Sequence, residues 1–143
     1  MTIDESLKQA LEPLMPKSLD DIIRSNREKA RLYLSTEAAL DALPAPVPPG
    51  PITGTLSAWA FITTYFTDPG VTMVNLTGFN DAENASWMTP LAIAIDGDRV
   101  FTRSGSHYRL EGERSDILDL PYICATLNSW GVGQRLGVPP FFF

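Results

Sequence analysis

The side chains with the clearest chemical potential lie around His107, the only histidine of the 143-residue chain. An imidazole is the group best suited to accept and donate protons near neutral pH, so acid–base catalysis of the usual kind would pass through this residue. Arg103 and Arg109 lie on either side of it in the sequence, and Asp98 precedes them. These four residues are therefore the candidate catalytic set of a small hydrolase or nuclease.

Strand geometry argues against a hydrolytic triad made of sequence neighbours. Residues 106–110 have the alternating pattern of a short strand, in which successive side chains point to opposite faces. Ser106 and Tyr108 would therefore point away from the imidazole of His107. A nucleophile and a carboxylate would have to reach the ring from elsewhere in the fold.

The other reactive residue types have ordinary structural interpretations. Cys124 is the only cysteine, so one chain can form neither an intramolecular disulfide nor a thiolate metal cluster, and its apolar context predicts a buried, inert thiol. The segment Asp96-Gly97-Asp98 is typical of a tight turn and lacks the further acids of a cation loop. Gly131-Val132-Gly133 lacks the third glycine of a dinucleotide site. The sequence thus predicts no metal and no cofactor.

Two groups of residues suit contact with a partner. The basic group falls within about two helical turns and consists of Arg24, Arg27, Lys29 and Arg31. Acids among and beside these residues also explain the group as a solvated helix face. The aromatic group consists of Trp87, which follows a polar stretch, and Phe141, Phe142 and Phe143 at the end of the sequence. We expect the three phenylalanines to be covered, either by their own chain or by a partner.

A run of prolines divides the chain into two unlike parts. Residues 44–51 hold five of the twelve prolines, and this run can continue neither a helix nor a strand ladder, because each proline fixes φ and lacks an N–H. The sequence therefore predicts a helical arm over residues 1–43, a proline-rich linker over 44–51 and a β-rich domain over 52–143.

The arm has the apolar spacing of helices. Thr2 and Glu5 have the spacing of a capping box that starts a first helix, and Ser18 starts a second one whose apolar face continues to Leu34. Ser35 or Thr36 caps a third, shorter helix, or the second helix continues across them.

The β-rich part alternates strand patterns with turn signals. Residues 52–67 predict one long strand or a hairpin, although the stretch from 56 to 66 also fits a buried helix, and residues 71–76 predict the next strand. Three short strands over 91–95, 99–103 and 106–110 form a meander, with a hairpin turn at Asp96-Gly97. A helix follows near 121–130. The fold class is α+β: a small antiparallel sheet or partly open barrel, packed by the C-terminal helix.

The net charge and the hydropathy of the chain limit the classes of partner that it can have. The formal net charge of −6 argues against general nucleic-acid binding, which depends on Lys and Arg. We expect no membrane span, because no apolar run approaches about 20 residues. The acidic N-terminus is unlike a secretory signal, so we expect a cytoplasmic protein.

These observations favour a non-enzymatic protein-binding or assembly module that acts through its amphipathic arm and aromatic tail, with self-association among the expected partners. The alternative is the hydrolase or nuclease built on His107. A weaker alternative is an acidic inhibitor that imitates nucleic acid.

Overall fold

Antiparallel pairing of consecutive strands organises the protein. The computed structural model describes residues 18–22, 30–43, 46–67 and 70–130. In chain order, its elements are α1 (Leu19–Ile22), β1 (Ala30–Leu34), α2 (Glu37–Asp41), β2 (Gly54–Phe66), β3 (Val71–Asn80), β4 (Ala85–Asp96), β5 (Arg99–Thr102), β6 (His107–Leu110) and α3 (Leu120–Ser129).

The long strand β2 closes the sheet into a barrel. Strands β2 to β6 follow one another as antiparallel neighbours. The first residues of β2 then pair in parallel with β6, from Gly54 opposite Tyr108 to Leu56 opposite Leu110. The last residues of β2 pair with β1 instead. Five strands therefore form a closed ring, and β1 extends the sheet beside it.

A bulge in β2 allows the first part of this strand to pair with β6 and the last part to pair with β1. Ser57 lies opposite Phe79 but Ala60 lies opposite Thr77, so β2 carries one extra residue at this point. Ala58 adopts a φ of 45°, which a non-glycine residue rarely does. The extra residue reverses which face each later side chain meets and bends the strand.

Two further bulges curve β4. Asn75 pairs with Leu91 and Thr77 with Met88, so β4 gains one residue around Thr89-Pro90. The hydroxyl of Thr89 accepts a hydrogen bond from the N–H of Leu76, at 3.2 Å. A second bulge lies between Ala92 and Ala94. The proline fits within a strand because it lies at a bulge, where the regular ladder is interrupted.

The side chains of the sheet form two cores. The inner core lies inside the barrel and includes Leu56, Phe61, Val74, Leu76, Ala92, Val100, Tyr108 and Leu110. The outer core lies between the sheet and the helices and includes Leu19, Ile22, Ala30, Leu32, Ile62, Phe66, Met88, Ile123, Cys124 and Leu127. Adjacent residues of β2 thus pack into different cores: Phe61 into the inner core and Ile62 into the outer core.

Helix α3 starts where the sequence predicts. The carboxylate of Asp119 accepts a hydrogen bond from the N–H of Tyr122, at 3.2 Å, which satisfies one unpaired donor of the first turn. The same carboxylate accepts a bond from the hydroxyl of Ser86, at 2.7 Å, and so ties the start of the helix to β4. The predicted antiparallel sheet and C-terminal helix are both confirmed.

The helical prediction is wrong for the end of the arm. Residues Ala30–Leu34 form β1 and pair with β2 from Leu34 opposite Ile62 to Ala30 opposite Phe66. Ala30 and Leu32 are buried while Arg31 and Tyr33 are exposed, so the segment also fits a period of two. Pairing with β2 satisfies the backbone and buries both apolar side chains. The predicted first helix and residues 23–29 of the second lie outside the described residues.

Candidate binding cleft at one end of the barrel

One end of the barrel holds a cleft of about 530 Å³, within the range of about 300 to 1,000 Å³ typical of ligand sites. Its apolar floor consists of Leu40, Leu43, Trp59, Phe61, Ile95 and Leu110. Its rim consists of Glu37, Asp41, Asp96, Gly97 and Arg114. The apolar residues belong to the inner core or pack against it, so the cleft is an exposed continuation of that core.

The short helix α2 covers part of this end. Thr36 is its N-cap, and the Thr36 hydroxyl accepts a hydrogen bond from the N–H of Ala39, at 3.1 Å. The preceding Ser35 is buried, and its hydroxyl shares a 2.7 Å hydrogen bond with Thr63 of β2. No residue of α2 is fully buried. The helix is therefore held at its start, while Leu40 rests against the inner core.

The bulge in β2 places Trp59 at the cleft. Three hydrogen bonds join β2 to the loop after β6: Glu111 N–H to Leu56 O at 2.9 Å, Ser115 N–H to Trp59 O at 2.8 Å, and Trp59 Nε1 to Gly112 O at 3.1 Å. The Trp59 ring also meets the Phe61 ring edge to face, with centroids 5.8 Å apart. These contacts hold the indole in one position beside the floor.

The rim is rich in negative charge. Glu37, Asp41 and Asp96 are exposed, and Arg114 is the one cation among the described residues that line the cleft. Arg114 Nη1 lies 3.7 Å from a carboxylate oxygen of Glu37, and both side chains are at least half exposed. Asp41 and Asp96 form no ion pair within the part of the chain that the structure describes. The four charged residues of the rim, three acids and one arginine, therefore give it a surplus of negative charge.

The structure separates the predicted catalytic residues into different environments. Arg109 and Asp98 form an exposed ion pair, with Arg109 Nε 3.6 Å from Asp98 Oδ2. Arg103 is exposed in the turn after β5. His107 is buried, with only 5% of its surface exposed, and does not line the cleft. None of these four residues lines the cleft at the end of the barrel.

The proline-rich segment covers His107. A Cβ added to Gly50 would lie 2.5 Å from His107 Nε2, so the backbone of residue 50 rests against the ring. The Phe101 ring lies on another side, with centroids 4.9 Å apart. His107 Nδ1 is buried and has no hydrogen-bond partner among the described residues. The predicted linker therefore packs on the sheet here, and Thr53 pairs with the His107 backbone through bonds of 2.7 Å and 3.1 Å.

Of the predicted partner-binding residues, two lie within the described residues. Arg31 is exposed on β1. Trp87 lies in β4 rather than in a loop, packs against the inner core and donates from Nε1 to the Tyr108 hydroxyl at 3.3 Å. It is therefore less exposed than its polar sequence context indicates. Arg24, Arg27 and Phe141, Phe142 and Phe143 lie outside the described residues.

Cys124 is buried and free, as its apolar context predicts. Burial raises the pKa of the Cys124 thiol from 9.0 to about 11, and a hydrogen bond with its own backbone offsets part of that rise. The thiol is therefore protonated at neutral pH and is a poor nucleophile.

The sequence does not group the cleft residues into one site. Glu37, Trp59, Asp96 and Arg114 come from four separate segments, and only closure of the barrel brings them to one end. Asp96 also has the turn role that the sequence predicts, because it pairs with Arg99 across the hairpin. The net charge of −6 was the one available signal, and it does not identify positions.

Comparison with known proteins found no family model, no curated protein and no solved structure that matches the chain. Within residues 18–22, 30–43, 46–67 and 70–130, no helix is long and apolar enough to cross a membrane. The same described residues contain no group of three or more acids, histidines or cysteines arranged to hold a metal ion.

Proposed function

We propose that this protein is a non-enzymatic protein-binding module and that a segment of its partner occupies the cleft at the end of the barrel. The observation that carries the proposal is the anatomy of the cleft. Its floor is apolar and its rim is charged and exposed, which is the arrangement found where proteins bury a few anchoring side chains.

Typical interaction energies indicate that the apolar floor, more than the charged rim, would supply most of the binding affinity. Burying one Leu- or Phe-sized side chain contributes about 1.5 to 3 kcal/mol, whereas an exposed ion pair contributes about 0 to 1 kcal/mol. A partner that only touched the rim would therefore bind weakly. We expect at least one apolar side chain to enter the cleft beside Trp59 and Leu40.

The exposure of the rim acids supports recognition over catalysis. Carboxylates that act as proton donors near neutral pH are usually withdrawn from water, since burial disfavours their charged form. Glu37, Asp41 and Asp96 are all exposed. His107, the residue on which the hydrolase hypothesis depends, is buried under the proline-rich segment. The hydrolase hypothesis is tested with His107→Ala: a variant that keeps its fold but loses a hydrolytic activity of the wild type would support it.

The basic arm residues and the aromatic tail stay part of the proposal as additional contact surfaces. Arg31 is exposed on β1 and is available to a partner on that side. A module with contacts at both places would bind more tightly than the cleft alone.

A peptide-display experiment tests the proposal while the partner is still unidentified. Random peptides displayed on phage are selected on the immobilised full chain, and enriched peptides are titrated by isothermal calorimetry. The test variant is Leu40→Asn in the cleft floor. The matched control is Ile117→Asn, because Ile117 is 85% exposed and lies outside the cleft.

We expect enriched peptides to lose at least about tenfold in affinity with Leu40→Asn, the loss of one well-buried anchor, and less than about twofold with Ile117→Asn. Circular dichroism checks that both variants are folded. Failure to enrich any peptide, or equal binding by Leu40→Asn and wild type, would contradict the proposed function.

A further inference from the structure

We infer that the segment held in the cleft carries a positively charged side chain next to an apolar one, and that it belongs to a different protein with a basic surface. The inference rests on the proposed function, because it names the chemistry of the occupant of the same cleft. Its basis is the placement of charge around the floor.

The rim acids belong to two different elements that line the same cleft. Glu37 and Asp41 belong to α2, and Asp96 ends β4 at the hairpin that leads into β5. Arg114 is already paired with Glu37 at 3.7 Å. Asp41 and Asp96 are left without a cation among the described residues, so a cation that enters the cleft would be attracted by both carboxylates.

Further acids reinforce this field. Glu111 and Glu113 are exposed on either side of Gly112, whose carbonyl oxygen accepts the Trp59 indole N–H. They lie in the loop that also carries Arg114. Neither carboxylate lines the cleft, but both add negative charge to the loop beside Trp59, which favours an ammonium or guanidinium group over a negatively charged segment.

The apolar floor sets the second requirement. A lone cation would stay at the exposed rim, where water and salt screen its attraction. An apolar neighbour buried over Leu40, Leu43 and Ile95 would hold it there. The pairing of one basic and one apolar side chain follows from the cleft as a whole rather than from the acids alone.

The net charge argues that the occupant is a different protein. Two copies of a chain with a formal charge of −6 repel each other at a distance, whereas a basic partner is drawn to this surface. The chain has its own basic residues, including the exposed Arg31, so self-association is the competing outcome that the experiment must distinguish.

The test uses three peptide libraries that differ at one central position, which is arginine, glutamine or glutamate. Each is selected on the full chain, and the best binder is remade with citrulline, the neutral isostere of arginine. The protein variant is Asp41→Asn with Asp96→Asn. The control is Glu83→Gln with Asp116→Asn, which removes the same charge from exposed acids outside the cleft.

We expect enrichment from the arginine library alone. Replacing the arginine of the peptide with citrulline should weaken its binding to the wild-type protein by about tenfold. The Asp41→Asn/Asp96→Asn protein should bind the arginine peptide about tenfold more weakly, as the loss of up to two ion pairs implies, and the control protein less than about twofold more weakly. Raising the salt from about 0.05 M to about 0.5 M should weaken the wild type more than the Asp41→Asn/Asp96→Asn protein.

Two outcomes would overturn the inference. The first is equal enrichment from the three libraries, or a citrulline peptide that binds as tightly as the arginine peptide. Either result would mean that the positive charge of the peptide does not contribute to binding in the cleft. If such peptides still lost affinity with Leu40→Asn, the proposed function would stand while this inference failed. The second outcome is measured by sedimentation velocity on the full chain. If the wild type self-associates and the Asp41→Asn/Asp96→Asn protein does not, the occupant of the cleft is another copy of the chain.

Discussion

Gly50 and His107 lie in direct contact, and a Cβ at residue 50 would stand 2.5 Å from the imidazole Nε2. The backbone at Gly50 is not in the left-handed region, so the glycine is required here by space and not by φ. The contact fastens the proline-rich segment onto β6, together with the backbone bonds between Thr53 and His107.

Gly50→Ala should lower the free energy of unfolding by about 1 to 3 kcal/mol, because the buried ring cannot move aside without disturbing its contact with Phe101. Urea denaturation followed by tryptophan fluorescence measures the change. In a His107→Ala background the same substitution should cost much less, since the opposing ring is gone. An equal cost in both backgrounds would show that the contact is not the cause.

Gly78→Ala should destabilise the protein at the bulge in β2. The added Cβ would lie 3.0 Å from the carbonyl oxygen of Ser57 and 3.2 Å from the Cα of Trp59, and these backbone atoms have little room to move. We expect a loss of about 1 to 3 kcal/mol in the free energy of unfolding, measured by urea denaturation.

Gly54→Ala is the matched control for this substitution, because its Cβ would meet Asn80 and Tyr108 side chains at ordinary distances of 3.4 Å. It should change stability by much less. Similar losses in the two variants would contradict a specific role for Gly78 in seating Trp59 and the bulge.

Thr36→Ala should loosen α2 over the cleft. It removes the hydroxyl that accepts the Ala39 N–H, and loss of such a cap typically costs about 1 kcal/mol. Hydrogen exchange of the Ala39 amide, followed by NMR, reports the opening of the helix. Thr36→Ser keeps the acceptor and should retain most of the protection, whereas equal exchange in both variants would argue against the cap.

The stability of the protein should fall as the pH rises from about 9 toward about 11. The pKa of the Cys124 thiol is raised from 9.0 to about 11 by burial, so in this range the unfolded chain ionises the thiol and the folded chain keeps its proton. Ionisation therefore favours unfolding, and the contribution of Cys124 to stability is complete only below about pH 9. Urea titrations across this range measure the slope.

Cys124→Ala is the comparison for that slope, because it removes the titrating group while other groups are unchanged. Its stability should be lower at neutral pH but should depend less on pH between about 9 and 11. Iodoacetamide at about pH 8 should modify the native wild type far more slowly than the urea-unfolded chain. Rapid labelling of the native protein would contradict burial of the thiol.

Local signals in the sequence were enough for several elements. The Asp96-Gly97 hairpin and the helix after Asp119 each depend on residues close together in the chain, where turn and capping chemistry act. The structure selects Thr36 as the cap of α2 from the alternatives that the sequence leaves open. One long strand near residues 54–66 is one of three sequence interpretations of this stretch, beside a hairpin and a buried helix, and it rests on the β-branched and aromatic residues.

The bulges mark where alternation ceases to predict a side chain's position. Leu56 and Phe61 of β2 both lie in the inner core although they are five positions apart, and only the extra residue at Ala58 permits this. A strict period of two would have placed them on opposite faces. The bulge depends on the close approach of Gly78, a residue of another strand.

Ala30–Leu34 shows how tertiary pairing overrides a local pattern. Its residues fit a helical stripe, and its first four also fit a two-residue alternation; the end of β2 supplies the hydrogen bonds that select the strand.

By itself, the sequence predicted an antiparallel sheet after the proline-rich run and a helix after Asp119, because turn and capping signals between neighbouring residues mark the ends of these elements. It also indicated a surplus of negative charge and one histidine able to carry protons. Only the tertiary structure decided that His107 is covered and that Glu37, Asp41 and Asp96 surround an apolar floor. Those arrangements arise when β2 pairs with β6 and closes the barrel, a contact between residues about fifty positions apart that local spacing does not specify.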